Sequence, residues 1–189
     1  GLFVHDYEKA PHTVRYPSVG YLVNDLFEPE HWKPMYPCPA FENTTKRDLF
    51  WGAKIVTSFT DEQLEAVVST GEFSDPAATA HLLQFLTERR DRIGRYWFAR
   101  MSTLDRFAVD GSAMNFQDLA VQRGYAAASS TTYQYRILQP SGKELAAGST
   151  DDSQLMLSAD WQEHEFIVAS VLTKRAGTEA KPVLAFLRP

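Results

Sequence analysis

One long stretch of the chain, residues 74–101, places its apolar side chains at helical spacing. Ser74 or Asp75 can accept hydrogen bonds from the first free backbone N–H groups, and Pro76 follows where a missing N–H costs nothing. The pattern predicts one long amphipathic helix, with Phe85 and Leu86 buried at the centre of its apolar face. The apolar positions on that face are Ala78, Leu82, Phe85, Leu86, Ile93, Tyr96 and Trp97.

Two shorter helices are predicted before the long one. Asn43 or Thr44 can cap the first of them. Thr60 and Gln63 have the spacing of a capping box for the second, and Gly71 stands where a left-handed C-terminal residue is expected. The three helices form a predicted helical block over residues 43–104. The residues predicted to face inward are Leu49, Phe50, Ala53 and Val56 in the first short helix, and Leu64, Val67 and Val68 in the second.

A run of charged residues, 88–92, interrupts the long helix. Arg90 and Arg92 are expected on its solvent side. Arg89 falls on the apolar face one turn after Phe85, so its charge must be paired or led to water along its aliphatic stem. Three interpretations stay open for Arg89: a structural ion pair, a side chain that reaches solvent, and an anion site.

From residue 105 the period of the apolar positions changes to two. The clearest strand, 131–138, carries Tyr133, Tyr135 and Ile137 on one face, and a turn follows at 140–143. Six or seven short strands in about 85 residues indicate an antiparallel β-sandwich over residues 105–189. The other predicted strands cover 107–109, 114–116, 154–157, 165–173 and 183–187.

The first 42 residues show neither period. Six of the ten prolines lie between Pro11 and Pro39, which excludes long helices and central strands there. Aromatic side chains recur every few residues and carry too much apolar area to leave in water. Residues 1–42 are therefore interpreted as an irregular arm that packs on its own helices or on a partner. If the arm packs on a partner, its aromatic side chains are the expected anchors, because Trp and Tyr dominate interface hot spots. The partner-binding candidates are Trp32, Tyr36, Tyr21 and Phe27.

The composition of the chain argues against several classes of function. The formal net charge of −5 argues against nucleic acid, whose binding needs basic surfaces. No apolar run approaches the roughly 20 residues that span a bilayer. Cys38 is the one cysteine, so neither an internal disulfide nor a cysteine-based zinc cluster can form. We interpret its side chain as a small apolar group, because a catalytic thiolate would need a histidine or a helix N-terminus beside it.

No motif for catalysis or cofactor binding is present. The five histidines, at positions 5, 12, 31, 81 and 164, include no pair with the spacing of metal ligands, and the phosphate-binding, dinucleotide-binding and nucleophile-elbow motifs are missing. The sequence therefore predicts no catalytic residue, no cofactor and no metal.

Three motifs carry a resemblance to a known group of proteins. They read FWGAKIVTSFTDEQLEAVVSTGEFSDPAA (50–78), LTERRDRIGRYWF (86–98) and FQDLAV (116–121). They resemble the C-terminal region of large, exported, uncharacterised bacterial proteins, and the resemblance covers residues 16–189. It implies a terminal fibronectin type III-like sandwich with residues 133–136 in its central strand. It implies no activity and no site residue, and any catalytic part of such a protein would lie upstream.

The sequence thus predicts an α+β protein with an arm (1–42), a helical block (43–104) and a β-sandwich domain (105–189). The leading hypothesis is a non-enzymatic interaction or accessory module of an exported assembly, periplasmic or extracellular. Its partner would be another protein or an upstream domain of the same precursor. A start at Gly1 is what either an independent subunit or a cut fragment would show. The alternative is the non-catalytic C-terminal part of a larger exported transferase or hydrolase. A flat apolar surface favours the first, and a deep pocket with several pKa-shifted groups favours the second.

Overall fold

The chain folds as a mixed α+β protein, as predicted. The structure is a computed structural model that describes residues 14–20, 22, 24, 25, 27–32, 36–178 and 180–189. It divides into two compact units, Gly1–Tyr96 and Trp97–Pro189. In the described residues, the first unit contains helices α1 (Pro39–Glu42), α2 (Lys46–Val56), α3 (Asp61–Ser69) and most of α4 (Pro76–Arg100). The strands lie in the second unit.

Helix α2 begins later than predicted. Its N-cap is Thr45, and neither Asn43 nor Thr44 caps it. The hydroxyl of Thr45 accepts a hydrogen bond from the Asp48 N–H at 3.3 Å, and the Asp48 carboxylate accepts one from the Thr45 N–H at 2.8 Å. Thr45 is selected because Asp48 stands three residues after it and completes a capping box.

Helix α3 confirms the predicted capping box of Thr60 and Gln63. The prediction for its C-terminus was wrong, because Glu72 rather than Gly71 adopts the left-handed conformation, with φ 46°. A Cβ atom at Gly71 would lie 2.6 Å from Cε2 of Phe73, so the glycine allows the Phe73 ring to approach the backbone. The inward face was predicted only in part, since Val67 is exposed.

Helix α4 starts where the sequence predicts. The Asp75 carboxylate accepts a hydrogen bond from the Ala77 N–H at 2.9 Å, and Pro76 is the first helical residue. Phe85 and Leu86, however, are half-buried rather than buried. At 1.5 Å per residue α4 is about 37 Å long, whereas α2 and α3 reach only about 16 and 13 Å. Such short neighbours leave part of the apolar face of α4 in contact with water.

The second unit contains two antiparallel sheets. Their strand orders are β1-β2-β5 and β4-β3-β6-β7. One strand, β4, was not predicted, because its sequence ELAAGST offers few of the β-branched or aromatic residues that mark strands. The strands are β1 (Leu104–Asp110), β2 (Ala113–Asp118), β3 (Thr132–Leu138), β4 (Glu144–Thr150), β5 (Gln154–Met156), β6 (Ile167–Lys174) and β7 (Val183–Leu187); the short helix α5 (Leu119–Gln122) follows β2.

Buried side chains from both sheets form one hydrophobic cluster. In β6 every second residue from Ile167 to Thr173 is buried, which is the period of two that the sequence shows. The fully buried side chains of the cluster include Met114, Ile137, Leu155, Ile167 and Val171. The second unit therefore has a hydrophobic core of its own.

Candidate interaction surface

A buried asparagine fastens the arm to α4. The Nδ2 group of Asn24 donates to the Phe85 carbonyl at 3.0 Å and to the Glu88 carboxylate at 3.1 Å. Its Oδ1 accepts a hydrogen bond from Arg89 Nε at 3.2 Å, and its backbone carbonyl accepts one from Arg92. These four hydrogen bonds, spread over two turns of α4, hold the arm at residue 24.

Arg89 lies between two aromatic rings beside this anchor. Its guanidinium carbon is 4.1 Å from the ring centroid of Phe27 and 4.5 Å from that of Phe85. A cation over an aromatic face is stabilised by about 0.5–2 kcal/mol, more when it is desolvated. Burial, and after it the charge of Arg92, lowers the pKa of Arg89. The three interpretations from the sequence did not include this aromatic clamp.

The prediction that Arg90 lies on the solvent side of the helix was wrong. Its side chain is only 12% exposed and forms ion pairs with Asp61 at 2.7 Å and Asp91 at 2.9 Å. It also donates to the Phe59 carbonyl at 3.0 Å. Arg90 thus ties α4 to the start of α3, which is the structural role that the sequence reasoning considered for Arg89.

An open cleft of about 320 Å³ lies next to the anchor. Its volume is at the low end of the range for small-molecule sites. Two carboxylates and two guanidinium groups share its wall, but the lining offers no nucleophile with a general base beside it. Its lining residues are Phe27, Glu28, Pro29, Glu30, Arg92, Arg95 and Tyr96.

The partner-binding candidates of the arm fall into two groups. Phe27 is half-buried and engaged by Arg89, so its ring is already used within the chain. Trp32 is 48% exposed and Tyr36 is 78% exposed, and both rings are open to a partner. Trp32 contacts the exposed ring of Phe41 edge to face, with centroids 5.6 Å apart. Tyr21 lies outside the described residues.

Helix α2 presents exposed apolar residues that the sequence reasoning missed. Arg47, Trp51 and Ile55 follow one another at steps of four, so they share one face of the helix. All three are exposed, Trp51 by 64%, and Phe59 is exposed just beyond the helix end. The available signal was the step of four itself, which places Trp51 and Ile55 away from the face of Ala53. We group Trp32, Tyr36, Phe41, Trp51 and Ile55, all of them exposed residues of the first unit, under the name aromatic surface.

Within the described residues, a buried polar cluster centred on Asp118 lies in the second unit. Asp118 accepts hydrogen bonds from the Thr103 hydroxyl at 2.6 Å, the Ala120 N–H at 3.0 Å and the Tyr133 hydroxyl at 3.1 Å. Arg175 forms an ion pair with the same carboxylate. The local reason for this position is that Asp118 ends β2 and caps α5. The sequence reasoning noticed the motif around Asp118 but assigned it no role.

This cluster is sealed from solvent. The side chains of Asp118 and Arg175 are 1% and 7% exposed. Burial, and after it the charge of Asp118, raises the pKa of Tyr133 to about 12. An acid with four donors and no opening to solvent has no reach to a substrate. We therefore assign the cluster a structural role, in which removal of one partner would leave a buried charge uncompensated.

No family model, no curated protein and no solved structure matches the chain. In the part of the chain that the structure describes, no three histidine, cysteine, aspartate or glutamate side chains come together to hold a metal ion. The described helices include none with the length and apolar character needed to cross a membrane. Cys38 is half-buried with a free thiol.

Proposed function

We propose that the chain is a protein-interaction module whose aromatic surface binds another protein. The observation that carries the proposal is the exposure of Trp32, Tyr36 and Trp51 in the first unit. Each such side chain offers on the order of 150–250 Å² to bury, and Trp and Tyr supply most interface hot spots. Exposed apolar side chains that lie together are typical of interaction sites, and the rings of Trp32 and Phe41 are in contact.

The anchoring of the arm favours binding. Ordering a free chain costs about 1–2 kcal/mol for each residue, and Asn24 already holds the arm on α4 through four hydrogen bonds. Trp32 follows that anchor by only a few residues. A partner would therefore meet a segment that has lost much of its freedom, which lowers the entropic cost of association.

The partner we propose is a protein of an exported assembly or an upstream domain of the same precursor. For the second unit we propose a fibronectin type III-like sandwich, which is a frequent architecture of extracellular interaction domains. Its support is the division of the strands into β1-β2-β5 and β4-β3-β6-β7 and the hydrophobic cluster that both sheets share.

The second candidate is the non-catalytic C-terminal part of a larger exported enzyme. The sealing of the Asp118 and Arg175 side chains is compatible with it, since the chemistry would then lie elsewhere. Both candidates assign the same role to the aromatic surface, and they differ in whether its partner is a separate chain.

Affinity capture from the cells that make the protein tests the proposal. We expect the double variant Trp32→Ala/Tyr36→Ala to retain far less of whatever protein the parent chain captures, with an unchanged melting temperature because both rings are exposed. The matched control is Val67→Ala/Met156→Ala, which removes two other exposed apolar side chains. Equal retention by the two double variants would refute the role of the aromatic surface. To identify the partner, a photo-crosslinking residue at position 36 should give a discrete adduct.

A further inference from the structure

Strand β7 is an edge strand whose own five residues carry none of the usual protection of an edge, although Pro182 and Pro189 flank it. It is the last strand of the β4-β3-β6-β7 sheet, and among the described strands only β6 pairs with it. Its sequence, VLAFL, contains no charge, glycine or proline. Leu184 is 55% exposed and Phe186 is 68% exposed. Natural edge strands normally carry lysine, proline or a bulge, because an unprotected apolar edge attracts another strand.

We propose that β7 pairs antiparallel with β7 of a second copy of the chain, about a twofold axis at Ala185. The inference concerns the second unit and does not depend on the aromatic surface. Directly opposed residues of an antiparallel pair lie on the same face of the sheet. Leu184 would then oppose Phe186 of the second copy, and Val183 would oppose Leu187 of the second copy. The two four-stranded sheets would become one sheet of eight strands.

This register follows from the sequence of β7. It is the one alignment that pairs all five strand residues in both copies. A shift by one residue would set inward residues against outward ones. A shift by two would oppose Leu184 to Arg188, or Phe186 to Pro182, of the second copy. In the proposed register Arg188 opposes Pro182 of the second copy, so no like charges meet directly.

The size of the contact sets its strength. A five-residue ladder with one exposed apolar pair on each side of the axis buries less than the roughly 1,200 Å² of a standard stable interface. The dimer should therefore be weak, with a dissociation constant on the order of micromolar or above. Residues Pro182 and Pro189 flank the strand and prevent the ladder from growing longer.

Sedimentation velocity of the full chain from ~5 to ~500 µM tests the association itself. We expect the sedimentation coefficient to rise with concentration towards that of a dimer, and Leu184→Lys/Phe186→Lys to abolish the rise. Both side chains are exposed, so the double variant should melt with the parent. Met156→Lys is the matched control, an exposed apolar residue on β5, at an edge of the other sheet. A parent that stays monomeric over the range, or equal effects of the control and the double variant, would overturn the proposal.

A disulfide experiment tests the register. In a Cys38→Ser background, Leu184→Cys and Phe186→Cys are prepared as separate proteins, one of them tagged to change its size. Opposed cysteines with Cα atoms about 5.5 Å apart form a disulfide readily. Mild oxidation should therefore give mainly the mixed dimer when the two proteins are combined, and little dimer from either alone. Equal crosslinking of each protein with itself would contradict the twofold axis at Ala185.

Discussion

Asp118→Asn is the most direct test of the sealed polar cluster in the second unit. The amide keeps the size of the carboxylate, and its oxygen can still accept from Thr103 and Ala120. Its NH₂ group, however, would face the Tyr133 hydroxyl and the Arg175 guanidinium, both of which now donate to Asp118. The Tyr133 hydroxyl can rotate and accept from the amide, whereas a guanidinium offers donors alone. The substitution thus replaces the Arg175 contact by a donor–donor contact and leaves a buried positive charge without its partner.

The expected loss is large. Removing one partner of a buried ion pair costs about 3–5 kcal/mol, and the side chains of Asp118 and Arg175 are 1% and 7% exposed. Arg175→Met should cost less, about 1.5–3 kcal/mol, because it removes one charge-assisted bond and leaves the carboxylate with three donors. The double variant should cost less than the sum of the two, since Met leaves no charge for the amide to face.

Hydrogen exchange of the β3 and β6 amides provides the assay, because these strands belong to the second unit and report its opening. Arg136→Met is the control. It breaks the exposed ion pair with Glu144, which spans 2.6 Å, and should cost at most about 1 kcal/mol. The reasoning is refuted if Asp118→Asn costs no more than the control, or if the costs of Asp118→Asn and Arg175→Met add in full.

Three further predictions address other contacts. Burial and a nearby carboxylate raise the pKa of Tyr133 to about 12. Its stabilising contribution is therefore complete below about pH 10 and is lost towards pH 12. Ultraviolet titration should show a phenol that ionises at unusually high pH and that Tyr133→Phe removes. Hydrogen bonds, first from Asn24, lower the pKa of Glu88, and Asn24→Ala should raise it in a carbon-13 titration. The lowered pKa favours the folded state only at pH values where Glu88 is ionised, so this stability is lost as the pH falls through that pKa. In Asn24→Ala the pH-dependent loss should be smaller. A Cβ at position 148 would lie 2.7 Å from the Tyr135 hydroxyl, so Gly148→Ala should cost about 1–2 kcal/mol, and less in a Tyr135→Ala background, measured by thermal unfolding.

The features predicted correctly depend on neighbours in sequence. The start of α4 at Asp75 and Pro76 and the capping box of Thr60 and Gln63 each involve residues within three positions. The alternation of β6 is also a local property, because each side chain points away from the next. A single sequence carries such signals in full.

The errors at the ends of α2 and α3 were local, whereas the roles of the arginines in α4 depend on residues far apart in sequence. Arg89 and Arg90 are adjacent, and their partners decided their roles. Arg90 forms an ion pair with Asp61. Arg89 donates to Asn24, 65 positions away, and contacts the ring of Phe27. No helical pattern encodes such distant contacts. Strand β4 is a similar case, since its small residues become a strand through pairing with β3.

The division of the arm into an inner and an outer part follows from one polar residue. Residue type made Trp32 and Tyr36 the leading anchors for a partner and left Phe27 as a further candidate. Asn24 fixes the chain on α4, and three positions later Phe27 meets Arg89. Trp32 and Tyr36 lie beyond this point and remain exposed. Asparagine gives no hydrophobic or periodic signal, so the sequence could not show that Phe27 is engaged within the chain.

The placement of polar and apolar groups bears on whether the enclosed cluster or the exposed rings carry the function we propose. A catalytic acid or base must come within hydrogen-bond reach of a substrate, whereas binding a protein needs apolar surface that can leave water. The chain encloses Asp118 and Arg175 and exposes Tyr36 and Trp51. Catalysis by the enclosed cluster would require the second unit to open and to lose the four hydrogen bonds of Asp118. Binding through the exposed rings requires no change in the described structure, which is the physical reason why both proposed roles rest on the aromatic surface and not on the enclosed cluster.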